Sequence, residues 1–239
     1  MAALNYDCVL LDADDTIWDF QKAQRHALDA ALHDCGVKTP KDASLDVFRS
    51  VNKSLWRQYE AGEISSDEVR LLRFARLLDH FDVAGDAREL SEVFVAHLGR
   101  SAFMIRGARE LLETLYRIVP LVLVTNGLSQ VQRSRIEISG IGRYFSALVI
   151  SEETGIQKPE PEIFRIAVTR CGVGGTPRVL MVGDSLSSDI AGALAAGYDA
   201  CWFAPASARS IAMTERSGGV TPTFTVRDLA EIPPIVIAV

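Results

Sequence analysis

Short runs of apolar residues, each bounded by polar residues, recur along the chain. The runs lie at Cys8–Leu11, Leu121–Val124, Ala147–Ile150 and Val179–Val182, with a weaker fifth at Cys201–Phe203. Runs of this length are typical of strands that are buried on both faces of a parallel sheet. Stretches with apolar residues at helical spacing fall between the later runs, at Arg106–Ile118, Ser129–Ser139, Pro161–Cys171 and Ser188–Ala196. This alternation predicts a doubly wound α/β fold with a parallel sheet.

One long segment interrupts this alternation between the first strand and Arg106. It contains about 80 residues and no convincing strand, and its apolar residues recur at helical spacing. Breaks at Gly36–Lys41, Gly62–Ser66 and Phe81–Asp86 divide it into about four helices. We therefore interpret residues 18–100 as a helical domain inserted into a core domain formed by residues 1–17 and 101–239. The tail, PTFTVRDLAEI, is expected to add a short strand and a final helix.

Composition and charge narrow the class of protein. The chain has 239 residues, of which 48% are hydrophobic and 23% charged, and this is the mix of a folded protein. A formal net charge of −6 argues against general binding to nucleic acid or to an anionic membrane. No signal peptide is recognisable, and no stretch approaches the roughly 20 apolar residues that span a bilayer. The four cysteines lack metal-ligand spacing, so we expect reduced thiols in a cytoplasmic protein.

Polar residues of a particular kind follow the ends of four predicted strands. They are Asp12 and Asp14 after the first strand, Thr125 and Asn126 at the end of the second, Lys158 after the third, and Asp184 and Asp189 after the fourth. The carboxyl ends of parallel strands meet at one edge of a sheet, so these side chains are expected to converge there. Several crowded carboxylates require a cation, and oxygen ligands without His or Cys indicate Mg²⁺.

The same edge is suited to a phosphate group. Lys158 supplies a positive charge and Thr125 a hydroxyl, and the backbone N–H groups of Asn126 and Gly127 lie close before a predicted helix. A carboxylate at this edge can attack phosphorus and form an aspartyl-phosphate. A second carboxylate two positions on projects from the same side of an extended chain, and it could protonate the leaving oxygen and then activate water.

Four motifs in this order resemble the haloacid dehalogenase (HAD) superfamily. They are DADDT at Asp12–Thr16, LVLVT ending at Thr125, Lys158 before a proline, and GDSLSSD with Asp184 and Asp189. The resemblance implies a Rossmann-like core, with Asp12 as nucleophile and Asp14 as general acid and base. It implies Mg²⁺ held by Asp12, the backbone carbonyl of Asp14, and Asp184, with Asp189 in support. Thr125 and Lys158 would bind the phosphoryl group, with Asn126 as a further candidate, and the helical insert would be a C1-type cap.

The second aspartate bears on the type of reaction. Phosphatases of the superfamily carry it and the dehalogenase branch lacks it, so the presence of Asp14 favours a phosphatase. Phosphomutases share this catalytic set and remain an alternative. A non-catalytic protein that binds a phosphorylated ligand is disfavoured by the intact Asp12 and Asp14. A phospho-signalling receiver domain is also disfavoured, because its phosphorylated Asp does not lie two residues before another Asp on the first strand and because it has no helical insert. The next residue, Asp15, stands where glycine is commonest in the superfamily.

Longer stretches resemble one subfamily more closely. They are YFSALVISEETGIQKPEPEIF, VLMVGDSLSSDIAGALAAGYDACWF and LVTNG. They are similar to pyrimidine 5′-nucleotidases that also hydrolyse deoxynucleotides, which implies a small phosphorylated substrate such as dUMP, dTMP or UMP. Phosphatases of N-acylneuraminate 9-phosphate have similar cores, so a sugar phosphate is the alternative. The aromatic residues Trp18 and Phe20 are candidates for stacking on a nucleobase, with packing at the domain junction as the competing role.

Overall fold

The computed structural model describes residues 4–205 and 219–238. Within this part of the chain, the residues form two units. The described residues of the sheet unit fall within Met1–Asp19, Met104–Ser129 and Ser139–Val239, and those of the helical unit within Phe20–Phe103 and Gln130–Ile138. Each unit is therefore built from more than one segment of the chain.

The sheet of the described residues has six parallel strands in the order β3-β2-β1-β4-β5-β6. Their bounds are β1 Cys8–Leu11, β2 Leu121–Thr125, β3 Ala147–Ile150, β4 Val179–Gly183, β5 Asp199–Phe203 and β6 Phe224–Val226. Every residue of β1, β2 and β4 is buried, which explains why uninterrupted apolar runs mark these strands. The five predicted strands and the strand in the tail are confirmed, and three of them extend slightly further than predicted.

Four long helices form most of the helical unit. They are α1 Phe20–Asp34, α2 Lys41–Glu60, α3 Ser66–Phe81 and α4 Ala87–Arg100. A capping box begins α3, in which the side chains of Ser65 and Glu68 each accept a hydrogen bond from the other residue's backbone N–H. The side chain of Asp86 caps α4 in a similar way. The predicted helices are confirmed, and the turns between them fall within a residue of the predicted breaks.

The core of the helical unit is aromatic. The rings of Phe48, Phe74 and Phe94 lie with their centroids between 5.1 and 5.5 Å apart. The Arg73 guanidinium packs among them, and its central carbon is 4.4 Å from the centroid of the Phe94 ring. Burial lowers the pKa of this guanidinium, because a charge loses its hydration there. The aromatic faces offset part of that cost through cation–π attraction.

Shorter helices follow in the rest of the chain. They are α5 Ala108–Leu115, α6 Ser129–Ser139, α7 Ser151–Thr154, α8 Pro161–Cys171, α9 Ala191–Ala195 and α10 Pro233–Val236. Helix α8 packs on β1, β2 and β3, where Ile163 and Phe164 join the buried cluster with Val122 and Val124. One predicted helix differs, because a π-helical turn over Leu186–Ile190 precedes α9. None of the described helices is long and apolar enough to cross a membrane.

Most of helix α6 belongs to the helical unit. The buried Arg135 donates from Nε to the backbone oxygen of Leu98, at 3.1 Å. Gly99 packs closely on this helix, since a Cβ added there would lie 3.4 Å from Ser134. The domain bounds inferred from the sequence assign all residues after 100 to the core, whereas the structure groups Gln130–Ile138 with the four long helices. The reason is that this part of α6 packs on the end of α4.

Candidate active site

The chemistry-bearing residues of the sheet unit meet where three central strands end. Asp12 directly follows β1, Thr125 is the last residue of β2, and Asp184 follows β4. Strand β1 pairs with both β2 and β4, so these three positions are neighbours at the carboxyl edge of the sheet. Asp189 lies in the π-helical turn after β4, and Lys158 lies between α7 and α8. The structure thus brings together the residues that the sequence placed at one edge.

The ammonium group of Lys158 is the centre of this arrangement. Its Nζ donates to Asp12 Oδ1 at 2.5 Å, to Asp189 Oδ1 at 2.6 Å, and to the backbone oxygen of Val124 at 3.1 Å. An ammonium has three donors, so all three are used. Lys158, Asp12 and Asp189 are all buried, and Lys158 is only 2% exposed. A buried charge with this set of partners is held in one position.

Three carboxylates form a group that could hold a metal ion. Oxygen atoms of Asp12, Asp184 and Asp189 all lie within 4.8 Å of one another. An all-oxygen donor set of carboxylates is the kind that Mg²⁺ prefers. Asp14 lies two residues beyond Asp12 and is half-buried. The residues present therefore fit a hard divalent cation.

The pKa shifts of these residues also indicate that the group carries more negative charge than positive charge. Burial raises the pKa of Asp12 to about 8. The positive charge of Lys158 opposes this rise, and the negative charge of Asp189 adds to it. Burial also raises the pKa of Asp184 well above its usual range, and Asp15 and Asp12 add to the effect. Burial alone would lower the pKa of Lys158, but Asp12 and Asp189 raise it above its ordinary value. One ammonium therefore does not neutralise the cluster, and a second cation would be stabilised here.

The loop after β1 explains the unusual residue next to Asp14. Asp15 has a φ of 59°, which is the left-handed region that glycine adopts most easily and that aspartate tolerates. Its backbone N–H donates to the oxygen of Trp18 at 2.8 Å, and the N–H groups of Ile17 and Trp18 donate to the oxygen of Ala13. The turn therefore closes tightly around Asp14. Because Asp15 raises the pKa of Asp184, it also brings an additional negative charge towards the cluster.

Asn126 has a role that the sequence did not indicate. Its Nδ2 donates to the backbone oxygen of Lys158 at 2.9 Å, and its Oδ1 accepts from the backbone N–H of Lys158 at 2.8 Å. Both polar atoms of the side chain thus hold the Lys158 peptide against the end of β2. The sequence suggested contact with phosphate, but these two bonds make the Asn126 side chain a positioning group for the lysine. Beside it, the hydroxyl of Thr125 accepts from the N–H of Gly127 at 3.0 Å.

Three further residues, Ser185, Trp202 and Gly183, shape the turn after β4. The backbone N–H of Ser185 donates to Asp189 Oδ2 at 3.0 Å, and Trp202 Nε1 donates to the backbone oxygen of Asp184 at 2.8 Å. Gly183 is packed against Asp189 so closely that a Cβ there would overlap the carboxylate. The glycine before Asp184 was the visible signal, since glycine at a strand end often marks a close approach. The contact from Trp202 had no local signal, because it comes from β5.

Comparison with known proteins agrees with this geometry. The sequence model of the haloacid dehalogenase-like hydrolases matches residues 6–197. The chain belongs to the haloacid dehalogenase-like hydrolases. This confirms the family, the α/β fold and the prediction of an enzyme of the phosphatase type.

Three relatives of this HAD-like hydrolase are similar over most of their length. The HAD-hydrolase YfnB of Bacillus subtilis is 34% identical over 95% of this chain and 94% of its own. Its crystal structure, bound to magnesium, has a TM-score of 0.85 and covers 95% of this chain and 96% of that chain. Pyrimidine 5′-nucleotidase YjjG of Escherichia coli is 33% identical over 96% of this chain and 97% of its own. Pyrimidine 5′-nucleotidase PynA of Streptococcus pneumoniae is 34% identical over 84% of both chains.

The two aromatic candidates of this HAD-like hydrolase lie in different environments. Trp18 is completely buried and forms bridge contacts with Asp14 and Met104 in the sheet unit. A buried ring presents no surface on which a nucleobase can stack, so packing is the role that the structure favours for Trp18. Phe20 is half-buried and begins α1 in the helical unit. Its contact with substrate stays a prediction.

The close packing at Gly183 leads to a prediction for this HAD-like hydrolase. Replacing Gly183 by alanine should lower the free energy of unfolding by about 1–3 kcal/mol, because the new Cβ must displace the buried Asp189 carboxylate. Gly174→Ala is the matched control, since a Cβ there meets nothing within 4 Å, and it should change stability by less than about 0.5 kcal/mol. Denaturant unfolding measures both. Equal effects of the two substitutions would show that Asp189 is not tightly held.

Proposed function

We propose that this chain is a Mg²⁺-dependent phosphomonoesterase that acts through an aspartyl-phosphate on Asp12. The observation that carries the proposal is the position of Asp12, with its Oδ1 bound to the buried Lys158 ammonium and its carboxylate within 4.8 Å of those of Asp184 and Asp189. A carboxylate beside fixed positive charge is suited to a phosphoryl group, whose equatorial oxygens carry negative charge in the transition state. The family shown by the comparisons supports this chemistry.

In the first step, a carboxylate oxygen of Asp12 forms a bond to phosphorus as the bond from phosphorus to the ester oxygen breaks. Asp14 donates a proton to that leaving oxygen, so the alcohol departs neutral. In the second step, Asp14 takes a proton from water, and the water oxygen bonds to phosphorus and releases Asp12. The sum is an ester and water giving an alcohol and phosphate. Lys158 and Thr125 would bind the phosphoryl oxygens throughout.

The acidic residues would hold the metal ion. Asp12, the backbone carbonyl of Asp14, and Asp184 are the proposed ligands, and Asp189 supports them by its bonds to Lys158 and to the N–H of Ser185. Bound Mg²⁺ would supply Lewis-acid stabilisation of the phosphoryl charge. The magnesium in the structure of the Bacillus subtilis relative supports Mg²⁺ as the metal.

The substrate is proposed to be a pyrimidine nucleoside 5′-monophosphate. Two relatives that are similar over most of this chain are named pyrimidine 5′-nucleotidases, and the motif stretches resemble that subfamily. A sugar phosphate, including N-acylneuraminate 9-phosphate, is the alternative substrate, and phosphomutase activity is the alternative reaction. The candidate substrates differ in the alcohol that carries the phosphate. The residues around Asp12 would bind the phosphate group of each of them.

The nucleophile leads to a direct prediction. Asp12→Asn should lower turnover by at least about 10³-fold with the fold retained, because an amide cannot form the acyl-phosphate bond. Asp15→Asn is a matched control, since it changes the neighbouring carboxylate in a position where asparagine also accepts a positive φ. It should lower turnover by no more than about tenfold. Steady-state phosphate release and circular dichroism measure the two properties, and near-normal turnover of Asp12→Asn would contradict the mechanism.

The raised pKa of Asp12 leads to a pH dependence of metal binding. Burial raises the pKa of the Asp12 carboxyl to about 8 in the metal-free protein, so a proton increasingly competes with Mg²⁺ for this group as the pH falls. Mg²⁺ competes with that proton and with a proton on Asp184, whose pKa burial also raises, so its affinity should rise with pH by about tenfold per pH unit for each proton displaced. Calorimetry in buffers of different ionisation enthalpy measures both affinity and protons released. An affinity that is constant from about pH 6 to about pH 9 would exclude proton-coupled binding.

The substrate class is tested by a metabolite screen with Mg²⁺. Comparison of kcat/KM should rank dUMP, dTMP and UMP above hexose phosphates and N-acylneuraminate 9-phosphate, because two relatives similar over most of this chain are named pyrimidine 5′-nucleotidases. A phosphomutase would instead convert one phosphorylated isomer into another without releasing phosphate. If sugar phosphates ranked first, the nucleotidase assignment would be wrong while the phosphatase assignment stood. If no ester released phosphate, both assignments would be wrong.

A further inference from the structure

Two buried cysteines of the sheet unit lie in direct contact. Cys8 opens β1 and Cys171 ends α8, and 163 positions separate them in the sequence. Their Sγ atoms are 2.7 Å apart and share a hydrogen bond. A sulfur–sulfur bond is about 2.0 Å long, so a small movement of the side chains would bring the two atoms to bonding distance. Nothing in the phosphatase chemistry of Asp12 and Lys158 uses this pair.

The surroundings of the pair are apolar and differ between the two thiols. Both side chains belong to a buried apolar cluster to which β1, β2, β4 and α8 contribute. Cys8 is completely buried, whereas Cys171 keeps 8% of its surface exposed at the end of its helix. The contact between the two sulfur atoms lowers the pKa of Cys171, and the same contact, together with burial, raises that of Cys8. Of the two thiols, Cys171 is therefore the one that a small oxidant reaches and reacts with first.

We propose that Cys8 and Cys171 are a redox-sensitive pair that a hydroperoxide converts into an intramolecular disulfide between β1 and α8. The Cys171 thiolate attacks the hydroperoxide, and the O–O bond breaks to give a sulfenic acid at Cys171 and an alcohol, or water where the oxidant is hydrogen peroxide. The Cys8 sulfur then attacks the sulfenic sulfur, loses its proton and releases water. Two thiols and one hydroperoxide thus give one disulfide, one water and one alcohol or second water.

The location of the pair predicts what the cross-link does. Cys8 is at the amino end of β1, and Asp12 follows the carboxyl end of the same strand. Cys171 is likewise at the far end of α8 from Lys158. A disulfide here would close a loop of 163 positions in the unfolded chain, which stabilises the folded state, and it would leave the residues around Asp12 in place. We therefore expect a more stable protein with unchanged turnover.

The experiment uses the full chain treated with hydrogen peroxide. The intact mass should fall by about 2 Da, and the number of thiols alkylated after denaturation should fall from four to two, with full reversal by dithiothreitol. A peptide linking Cys8 to Cys171 should appear. The melting temperature should rise by roughly 5–15 °C, because the loop that is closed is long. Cys8→Ser and Cys171→Ser should each abolish these changes.

Cys201→Ser is the matched control. Cys201 is also a buried strand cysteine of the sheet unit, and among the four cysteines, all within the described residues, only Cys8 and Cys171 have hydrogen-bonded sulfur atoms. This variant should form the disulfide as the unchanged protein does. In Cys8→Ser, a sulfenic acid at Cys171 should persist and react with dimedone, which a merely structural cysteine would not do.

Three results would overturn the proposal. The first is retention of four alkylatable thiols after peroxide treatment. The second is a cross-linked peptide that contains Cys35 or Cys201 in place of one of the pair. The third is irreversible gain of oxygen at Cys171 with no loss of 2 Da. The mass of the protein without substitutions shows whether the disulfide forms, even if Cys8→Ser does not fold.

Discussion

Lys158 places an ammonium group between two buried carboxylates, 2.5 Å from Asp12 and 2.6 Å from Asp189. Without it, the carboxylates of Asp12, Asp184 and Asp189 would repel one another at the same edge of the sheet. Their attraction to one fixed cation offsets part of the cost of removing them from water. The rest of the site depends on this balance between carboxylate repulsion and attraction to Lys158, because the carboxylates stay close together only while a positive charge lies beside them.

The fold holds Lys158 in place through hydrogen bonds to both its backbone and its ammonium group. Asn126 at the end of β2 binds both polar groups of the Lys158 peptide, and the backbone oxygen of Val124 accepts from its ammonium. Asp189 is held in turn by the N–H of Ser185 and by close packing on Gly183. Residues that are distant in the sequence thus become one rigid group because parallel strands end at the same edge. Phosphoryl transfer depends on such positioning, since the reacting atoms must be aligned.

The sequence predicted the strands and the charged residues at their ends because both depend on local patterns. A buried strand must be apolar throughout, and a residue such as Asp12 or Lys158 at its end stands out against that background. The side-chain bonds of Asn126 and Trp202 could not be predicted, because their partners lie on other elements. The grouping of α6 with the helical unit was missed for the same reason, since it rests on the bond from Arg135 to Leu98.

Asp15 shows how backbone geometry and charge act together in this site. The turn requires a positive φ after Asp14, which glycine would satisfy without adding charge, yet the chain uses aspartate. Its carboxylate raises the pKa of Asp184, so it increases the excess of negative charge over the single ammonium of Lys158. A phosphate dianion would be repelled by that excess. On the proposed function, a divalent cation beside these carboxylates would offset that excess and so favour binding of the phosphate dianion.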